Sequence, residues 1–327
     1  MVQAGWRSLA KAGAGVLLGA AVAGAQAAAY PEKPVRVIIP SPTGGGTDTS
    51  TRILAPKLGE ILGQQLVLEN RPGASGNIGA EVAARAAPDG YTLLACIASH
   101  TSNPAVMRKV SYDLARDFAP IARTVTVPNV LFSHPSLPVK TIKELIAFAR
   151  ARPGELNFAS AGLGTNPHLA MELFLNETRL KVTHIPYKGV GPALVDVVAG
   201  HVPLMMGNIL VASPHLRSGR IRGYGVTSAK RSAAAPELPT IAEAALPGYE
   251  ADQWYGLLAP AGTPREIVGR LHAAVVQALQ DPQVRQRFLN DGAEPSPHRT
   301  PEEFGALIVS DMKKWARVVK EAGIRPE

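Results

Sequence analysis

Two glycine-bearing stretches carry the residue types and spacing for holding an anion. The first, Ser41-Pro42-Thr43-Gly44-Gly45-Gly46-Thr47-Asp48, lies between a short apolar run and a helix-patterned run that begins at Ser50. A helix leaves up to about four backbone N–H groups without intrahelical partners at its start. Consecutive glycines let that backbone curl around an oxyanion without Cβ interference. Thr43 and Thr47 add hydroxyls, and Asp48 is placed to cap the helix or brace the loop. Each charge-assisted bond to a bound acid contributes about 1.5–3 kcal/mol, and the helix end about 0.3–2 kcal/mol more. A nucleotide loop is a poor alternative. Thr47-Asp48 stands where a P-loop needs Gly-Lys-Ser/Thr, and G-x-G-x-x-G spacing is absent from the stretch.

The second stretch, Ser160-Ala161-Gly162-Leu163-Gly164-Thr165-Asn166-Pro167-His168, repeats the design, with Asn166 and Pro167 as the expected N-cap and N1 pair. Ser160 and Thr165 supply hydroxyls beside the flexible Gly162 and Gly164, while His168 serves equally well as ligand contact or helix-start packing. The expected ligand-binding set is therefore Thr43, Gly44, Gly45, Gly46, Thr47 and Asp48 from one stretch and Ser160, Gly162, Gly164, Thr165 and His168 from the other. Ser99 and Asn208, at the ends of two further strand-like runs, join it, and Tyr187 and Trp254 are candidate walls. A dicarboxylate bridging the two stretches would hold two units closed on it.

The sequence carries no local catalytic constellation. G-x-S-x-G and H-E-x-x-H are missing, and the eight histidines are dispersed without metal-ligand spacing. The single cysteine, Cys96, sits in a strand-like run with nothing basic beside it and reads as a small buried hydrophobe. No catalytic residue, metal site or cofactor is expected. The alternative function is a secreted α/β hydrolase whose Ser-His-Asp site is assembled from distant positions.

The elements that must position these loops alternate between strand and helix patterns. Val35 to Ile39, Gln65 to Glu69 and Tyr91 to Ala98 read as strands, with helices over Ser50 to Leu62 and Ala80 to Ala86 between them. Val130 to Phe132, Asn157 to Ala159, Val182 to Ile185, Val202 to Met206 and Ile221 to Val226 continue the strands, with helices over Thr141 to Arg152, Pro167 to Leu175 and Pro192 to Val198. Ala119 to Pro128 is expected to cross between the units. Trp254 to Ala259 reads as a strand returning to the first, and Thr263 and Thr300 each open a late helix. The expected fold is α/β: two lobes, each a mainly parallel sheet flanked by helices, with a hinge between. Residues 30–128 with 232–327 would form a discontinuous first lobe, and 129–231 the second.

The chain has 327 residues, of which 46% are hydrophobic, which is ample for packed cores. Arg7 and Lys11, an Ala/Gly-rich apolar run and Ala25-Gln26-Ala27 make residues 1–29 read as an export signal, with Ala27-Ala28-Ala29 an overlapping cleavage site. Its removal takes two basic residues and no acidic one, lowering the net charge from +8 to +6. The basic residues are scattered, without the focused footprint that nucleic acid requires. The mature chain is expected to be a soluble periplasmic monomer.

The sequence resembles the tripartite tricarboxylate transporter receptor family, also called the Bug family of bacterial periplasmic solute-binding proteins. The resemblance runs from Tyr30-Pro31 almost to Gly323-Ile324. It rests on the order and spacing of YPEKPVRVIIP, GGGTD, ENRPGASGNIGAE, PDGYTLL, YDLARDFAPI, FASAGLGTNPHLAMELF, HIPYKG, GVTSAKRSAAAPELPTIAEA and WYGLLAPAGTP. It implies a two-lobed, class-II type binding protein that captures a small organic acid, with Ser41 to Asp48 gripping one carboxylate and Ser160 to His168 acting from the other lobe. It also implies a two-component membrane permease or a sensor kinase as partner. The chain departs from the family pattern at Ser41-Pro42-Thr43, where Phe-Pro-Pro is common. It also carries Pro203 and Gly207 where aspartates are common, and an aspartate at the latter position would be expected near the cleft, able to receive an ammonium group.

Overall fold

In a computed structural model, which describes residues 30–296 and 300–326, Val35–Ile39 forms the strand β1. Val35, Val37 and Ile39 turn to one face and Ile38 to the other, and all are buried, because helices cover both sides of the sheet. The expected export segment lies outside the described residues. Helix α1, Gly46–Leu62, lays Ile53, Leu54, Leu58 and Leu62 against the first face and ends at Gly63, which takes the left-handed conformation. It begins four residues before the expected start at Ser50, so Gly46, Thr47 and Asp48 belong to its first turn rather than to a loop.

β2 (Leu66–Asn70), α2 (Asn77–Ala84) and β3 (Thr92–Ile97) complete a parallel βαβαβ unit in which β1 pairs with both other strands. Helix α3, Ser99–Val106, follows at once. Phe118–Val127 is a ten-residue strand, β4, not the crossing expected there. It pairs antiparallel with β10 (Gln253–Pro260), which lies between β3 and β4. With the two-residue β11 (Glu294–Pro295) at its edge, the first sheet runs β11-β4-β10-β3-β1-β2.

The second sheet is built from β5 (Asn129–Ser133), β6 (Asn157–Ser160), β7 (Thr183–Pro186), β8 (Leu204–Asn208) and β9 (Arg222–Val226) in the order β7-β6-β8-β5-β9. β6, β7 and β8 are parallel, and β5 runs against β8 and β9. α4 (Ile142–Ala151), α5 (Asn166–Thr178), α6 (Val190–Val198) and α7 (Ile209–Arg217) connect the strands. The Thr141 hydroxyl accepts from Glu144 N–H, the cap expected from the sequence.

Residues beyond 231 stay on the second sheet longer than expected. Thr240 bridges Val226, and Ile241, at the start of α8 (Ile241–Ala244), packs with Tyr249, Ala251 and Met206 in that sheet's core. The chain rejoins the first sheet only at Gln253. Three helices close the chain: α9 (Arg265–Gln280), α10 (Pro282–Asn290) and α11 (Pro301–Glu321). α11 spans both cores, with Phe304 and Ile308 against the first sheet and Trp315, Val318 and Val319 against the helices of the second. Thr300 caps it as expected. Thr263, the expected cap of α9, instead donates to the Pro260 carbonyl at 2.8 Å.

Packing on the first sheet is tight at Gly256, where an added Cβ would run into the Phe304 ring and lie 2.8 Å from the Ala122 carbonyl oxygen. Gly256→Ala should therefore destabilise the fold by about 1–3 kcal/mol through overpacking, read as a lower urea midpoint. An unchanged midpoint would mean that the β10 and α11 layers yield freely.

Candidate functional site

Strand direction decides where the two glycine loops go. Loop 40–45 follows the carboxyl end of β1, Ser99 follows that of β3, loop 161–165 that of β6, and Asn208 ends β8. On the first sheet, Ile97 at the end of β3 and Val127 at the end of β4 lie beside Tyr255 and Gln253, at the start of β10. On the second, Asn208 pairs with Asn129 at the start of β5. The chain passes between the sheets at 127–129 and 251–253, so the carboxyl edges of both sheets flank the same crossings. That is where open α/β sheets collect ligands. Gly164 of the second loop also lies against Val106, at the end of α3; a Cβ on it would come within 2.8 Å of Val106 Cγ2.

The first loop is held by a carboxylate. Asp48 accepts from the Gly44 N–H at 2.9 Å, from Arg52 Nε at 2.9 Å and from Asn70 Nδ2 at 2.9 Å, while Asn70 Nδ2 also donates to the Ser41 carbonyl. Burial would raise the Asp48 carboxyl, but the bonds from Arg52, Gly44 and Asn70 outweigh it and hold the group below its ordinary value. Asp48 thus braces the loop and has its oxygens occupied. Gly44, at φ +82°, makes the turn that this brace requires. The first intrahelical bond of α1 runs from Thr49 N–H to the Gly45 carbonyl, so the N–H groups of Gly46, Thr47 and Asp48 precede it and are the donors of this helix start.

Other members of this stretch sit differently from one another. Thr43 is exposed, and its hydroxyl is 3.5 Å from Asn70 Oδ1, at the limit of a hydrogen bond. Thr47 is buried and lines a cavity of about 10 Å³ beneath α1 with Ser50, Thr51, Thr124 and Tyr255, room for one water molecule. Gly46 abuts the Tyr255 hydroxyl so closely that no Cβ fits, and Gln253 Nε2 donates to that hydroxyl at 3.1 Å. Tyr255 and Gln253 were not singled out from the sequence. The strand they start was legible, but not its insertion beside loop 40–45.

The second loop is braced by hydroxyls and a histidine. Ser160 Oγ accepts from the Gly162 N–H at 3.1 Å and is 2.6 Å from His184 Nε2. Thr165 Oγ1 donates to the Gly162 carbonyl at 2.8 Å. His168 Nδ1 accepts from the Gly164 N–H at 3.1 Å, which puts the proton on Nε2, facing Glu172 at 3.4 Å. The ring is buried and stacked on His184 at 4.0 Å between centroids, with Phe158 beyond. His168 is thus loop brace and packing. The N-cap of α5 is Thr165, whose hydroxyl makes no capping bond to the helix, and Asn166, expected to cap, turns its amide toward the crossings.

Ser99 is half-buried at the first position of α3, and its carbonyl accepts from Ser102 Oγ. Asn208 caps α7 by accepting from the Leu210 N–H at 2.9 Å. Tyr187 stands beside Gly162 with its hydroxyl committed to Asp196 at 2.6 Å. Trp254 is not a wall: it is buried against Phe304 and donates to Asp311. Nor does Gly207 open onto space. A Cβ there would meet the Phe132 ring at 3.1 Å and Met205 Cε at 3.4 Å, so the expectation that an aspartate at this position would face the cleft does not hold.

The Ser160–His184 contact is a serine–histidine pair, but not an activated one. Ser160 is 1% exposed, its oxygen is engaged inside the loop, and burial, helped by His168, pushes His184 down to about 3. Cys96 has His100 Nδ1 at 3.4 Å, yet burial raises the thiol and pushes the imidazole down to about 4, so no thiolate forms. Among the described residues no group of three His, Cys, Asp or Glu side chains is placed to hold a metal ion.

A protein-family model described as "Tripartite tricarboxylate transporter family receptor" matches residues 50–324. The chain is 38% identical over 301 residues to Protein BugT of Bordetella pertussis, covering 90% of this chain and 91% of that one. Among solved structures it is similar to R. palustris Rpa4515 with adipate, at 39% identity and a TM-score of 0.78, over 91% of this chain and 100% of the other. It is also similar to MatC from Rhodopseudomonas palustris with bound malate, at 34% identity and a TM-score of 0.74, over 89% and 100% of the two chains.

The brace on the first loop has a pH signature. The folded value of Asp48 lies below the unfolded value, so its contribution is present at neutral pH and is lost as pH falls through and below 3.8. Asp48→Asn should cost about 1–3 kcal/mol in urea unfolding at pH 7, and the difference should shrink at pH 3. An equal difference at both pH values would remove the charge from the account.

Proposed function

The chain belongs to the tripartite tricarboxylate transporter receptor family, and we propose that it captures a dicarboxylate between its two sheets, one carboxylate at each glycine-bearing helix start. It is an extracytoplasmic carboxylate-binding receptor, not an enzyme. The observation that carries the finer reading is the placement of the α1 and α5 openings on carboxyl edges that flank the same chain crossings. At the α1 opening the donors are the N–H groups of Gly46, Thr47 and Asp48. At the α5 opening the first intrahelical bond runs from the Leu169 N–H to the Thr165 carbonyl, so the donors are the N–H groups of Asn166 and His168, behind a loop whose shape Ser160, Thr165 and His168 maintain.

The relatives with adipate and malate support a ligand carrying two carboxylates. In this reading the two sheets are the cores of two lobes that close on the acid, and the crossings at 127–129 and 251–253 are the hinge. The first lobe is residues 30–128 with the chain from 253 on, and the second extends to about 251. Residues 1–29 are removed on export, the mature chain acts as a monomer, and it passes its ligand to a two-component permease or reports it to a sensor kinase. Ser99 and Asn208, at the same edges, contribute through their remaining polar groups.

The ligand lacks an ammonium group. Asp48, the acidic side chain of the α1 opening, already accepts from the Gly44 N–H, Arg52 and Asn70, so it has no free oxygen for one. In calorimetric titrations, at least one of succinate, glutarate, adipate and malate should bind with Kd below about 0.1 mM, and adipamide, which carries no charge, should not. Equal affinity for the diamide would exclude the helix-start mechanism. Aspartate and glutamate should bind at least about tenfold more weakly than their deaminated counterparts; the reverse order would show that a carboxylate in the site receives the ammonium group.

A further inference from the structure

Four polar residues close a hydrogen-bonded ring where the chain passes between the sheets. Thr227, just after β9, donates its hydroxyl to Asp252 Oδ1 at 2.6 Å and accepts from the Asn129 N–H at 2.9 Å. Asn129, which starts β5, donates from Nδ2 to Asn166 Oδ1 at 2.8 Å and to the Ala251 carbonyl at 3.1 Å. Asn166, the first residue of α5, donates in turn to the Asp252 carbonyl at 3.3 Å. One ring therefore takes in both crossings, the end of β9 and the opening of the helix at loop 161–165. Asn129 and Thr227 are fully buried, and Asn166 is buried.

We propose that Asn129, Thr227 and Asp252 are positioning residues for ligand capture, which lock the opening of α5 to the two crossings so that loop 161–165 and the hinge move as one piece. The ring explains why Asn166 does not cap its own helix. Its amide is spent on the crossings, and the α5 start keeps a cap whose hydroxyl makes no capping bond to the helix, which leaves its N–H groups open to a ligand. Apolar side chains would hold these strands together at less cost than a buried polar network in which Asn129 Oδ1 has no partner. What a network adds is a single fixed geometry.

The ring also carries a titrating member. Burial pushes the Asp252 carboxyl up to about 7, with Glu250 and Glu294 acting in the same direction and the Thr227 hydroxyl and Lys314 against it. Arg123 of β4, held on the Ser296 carbonyl, and Tyr249 are the other ionisable groups that interact with it. The folded value is above the unfolded one because the carboxyl is taken out of water, while the Thr227 bond itself favours the ionised form. The contribution of the carboxyl is present in acid and is lost as pH rises through about 7.

The proposal rests on the reading that the α5 opening holds ligand. Its test uses no ligand, so the two can fail separately. Hydrogen exchange of the full chain is followed at the bonded amides of Gly162, Gly164 and Leu169 at pH 6 and pH 8, corrected for intrinsic rates. Thr227→Val should speed exchange there by about fivefold or more, with the amides of β1 unchanged, and Thr227→Ser should restore the wild-type rate. The wild type should exchange faster at pH 8 than at pH 6, whereas Asp252→Asn should show no such difference. Wild-type rates in Thr227→Val, or a wild-type pH dependence in Asp252→Asn, would overturn the proposal. Should Thr227→Val not fold, Asn166→Ala, which removes the bond to the Asp252 carbonyl, is followed at the same amides; faster exchange there supports the ring and wild-type rates overturn it.

Discussion

The first turn of a helix has N–H groups that it cannot satisfy from within, and the proposed ligand site is organised around two such turns. At α1 and α5 the preceding loops spend side chains on bracing the backbone just upstream. Asp48 takes the Gly44 N–H, Ser160 the Gly162 N–H and His168 the Gly164 N–H. Each brace fixes a glycine whose freedom would otherwise be lost only when ligand arrives, so part of the ordering cost is met during folding. In the proposed reading the helix-start donors remain for the acid.

A carboxylate beside an anion site would defeat that purpose if it stood alone. Two like charges 4 Å apart at an effective dielectric of about 20 repel by about 4 kcal/mol. Arg52, one turn along the same helix, lies against both oxygens of Asp48, so the pair is close to neutral and the positive helix end sets the local field. On the second sheet the same result is reached without charge. Burial keeps His184 neutral, and the loop is held by hydroxyls and one imidazole nitrogen.

Periodicity was enough to read the parallel units, because Val35 to Ile39 and the stripe Ile53, Leu54, Leu58 state which faces are buried. It failed where tertiary contacts supply the stability. Helix α3, reading SHTSNPAV, has no apolar stripe and contains Pro104. It is held by Thr101 and Ser102 bonding back to carbonyls and by Asn103 bonding to Ser75 and Asn77. The strand β4 carries Pro120, Arg123, Thr124 and Thr126, and so looked like a connection, yet its burial between β10 and β11 makes it a strand. At the site, both glycine loops were legible, since helix starts and glycines are local features. Asn70, Gln253 and Tyr255 were not, since only the sheet order brings them to the first loop.

The late return of the chain to the first sheet, at Gln253, puts residues 239–251 and the ring at Thr227 and Asp252 on the second sheet's side of the crossings. Closing the cleft and ordering the second loop thereby become one event in this account. The direct measurement is a crystal structure with the tightest-binding dicarboxylate in place. One carboxylate is predicted within 2.7–3.1 Å of the Gly46 to Asp48 N–H groups and the other at the α5 opening, on the Asn166 and His168 N–H groups. An acid seated at only one of these helix starts, or at neither, would contradict it.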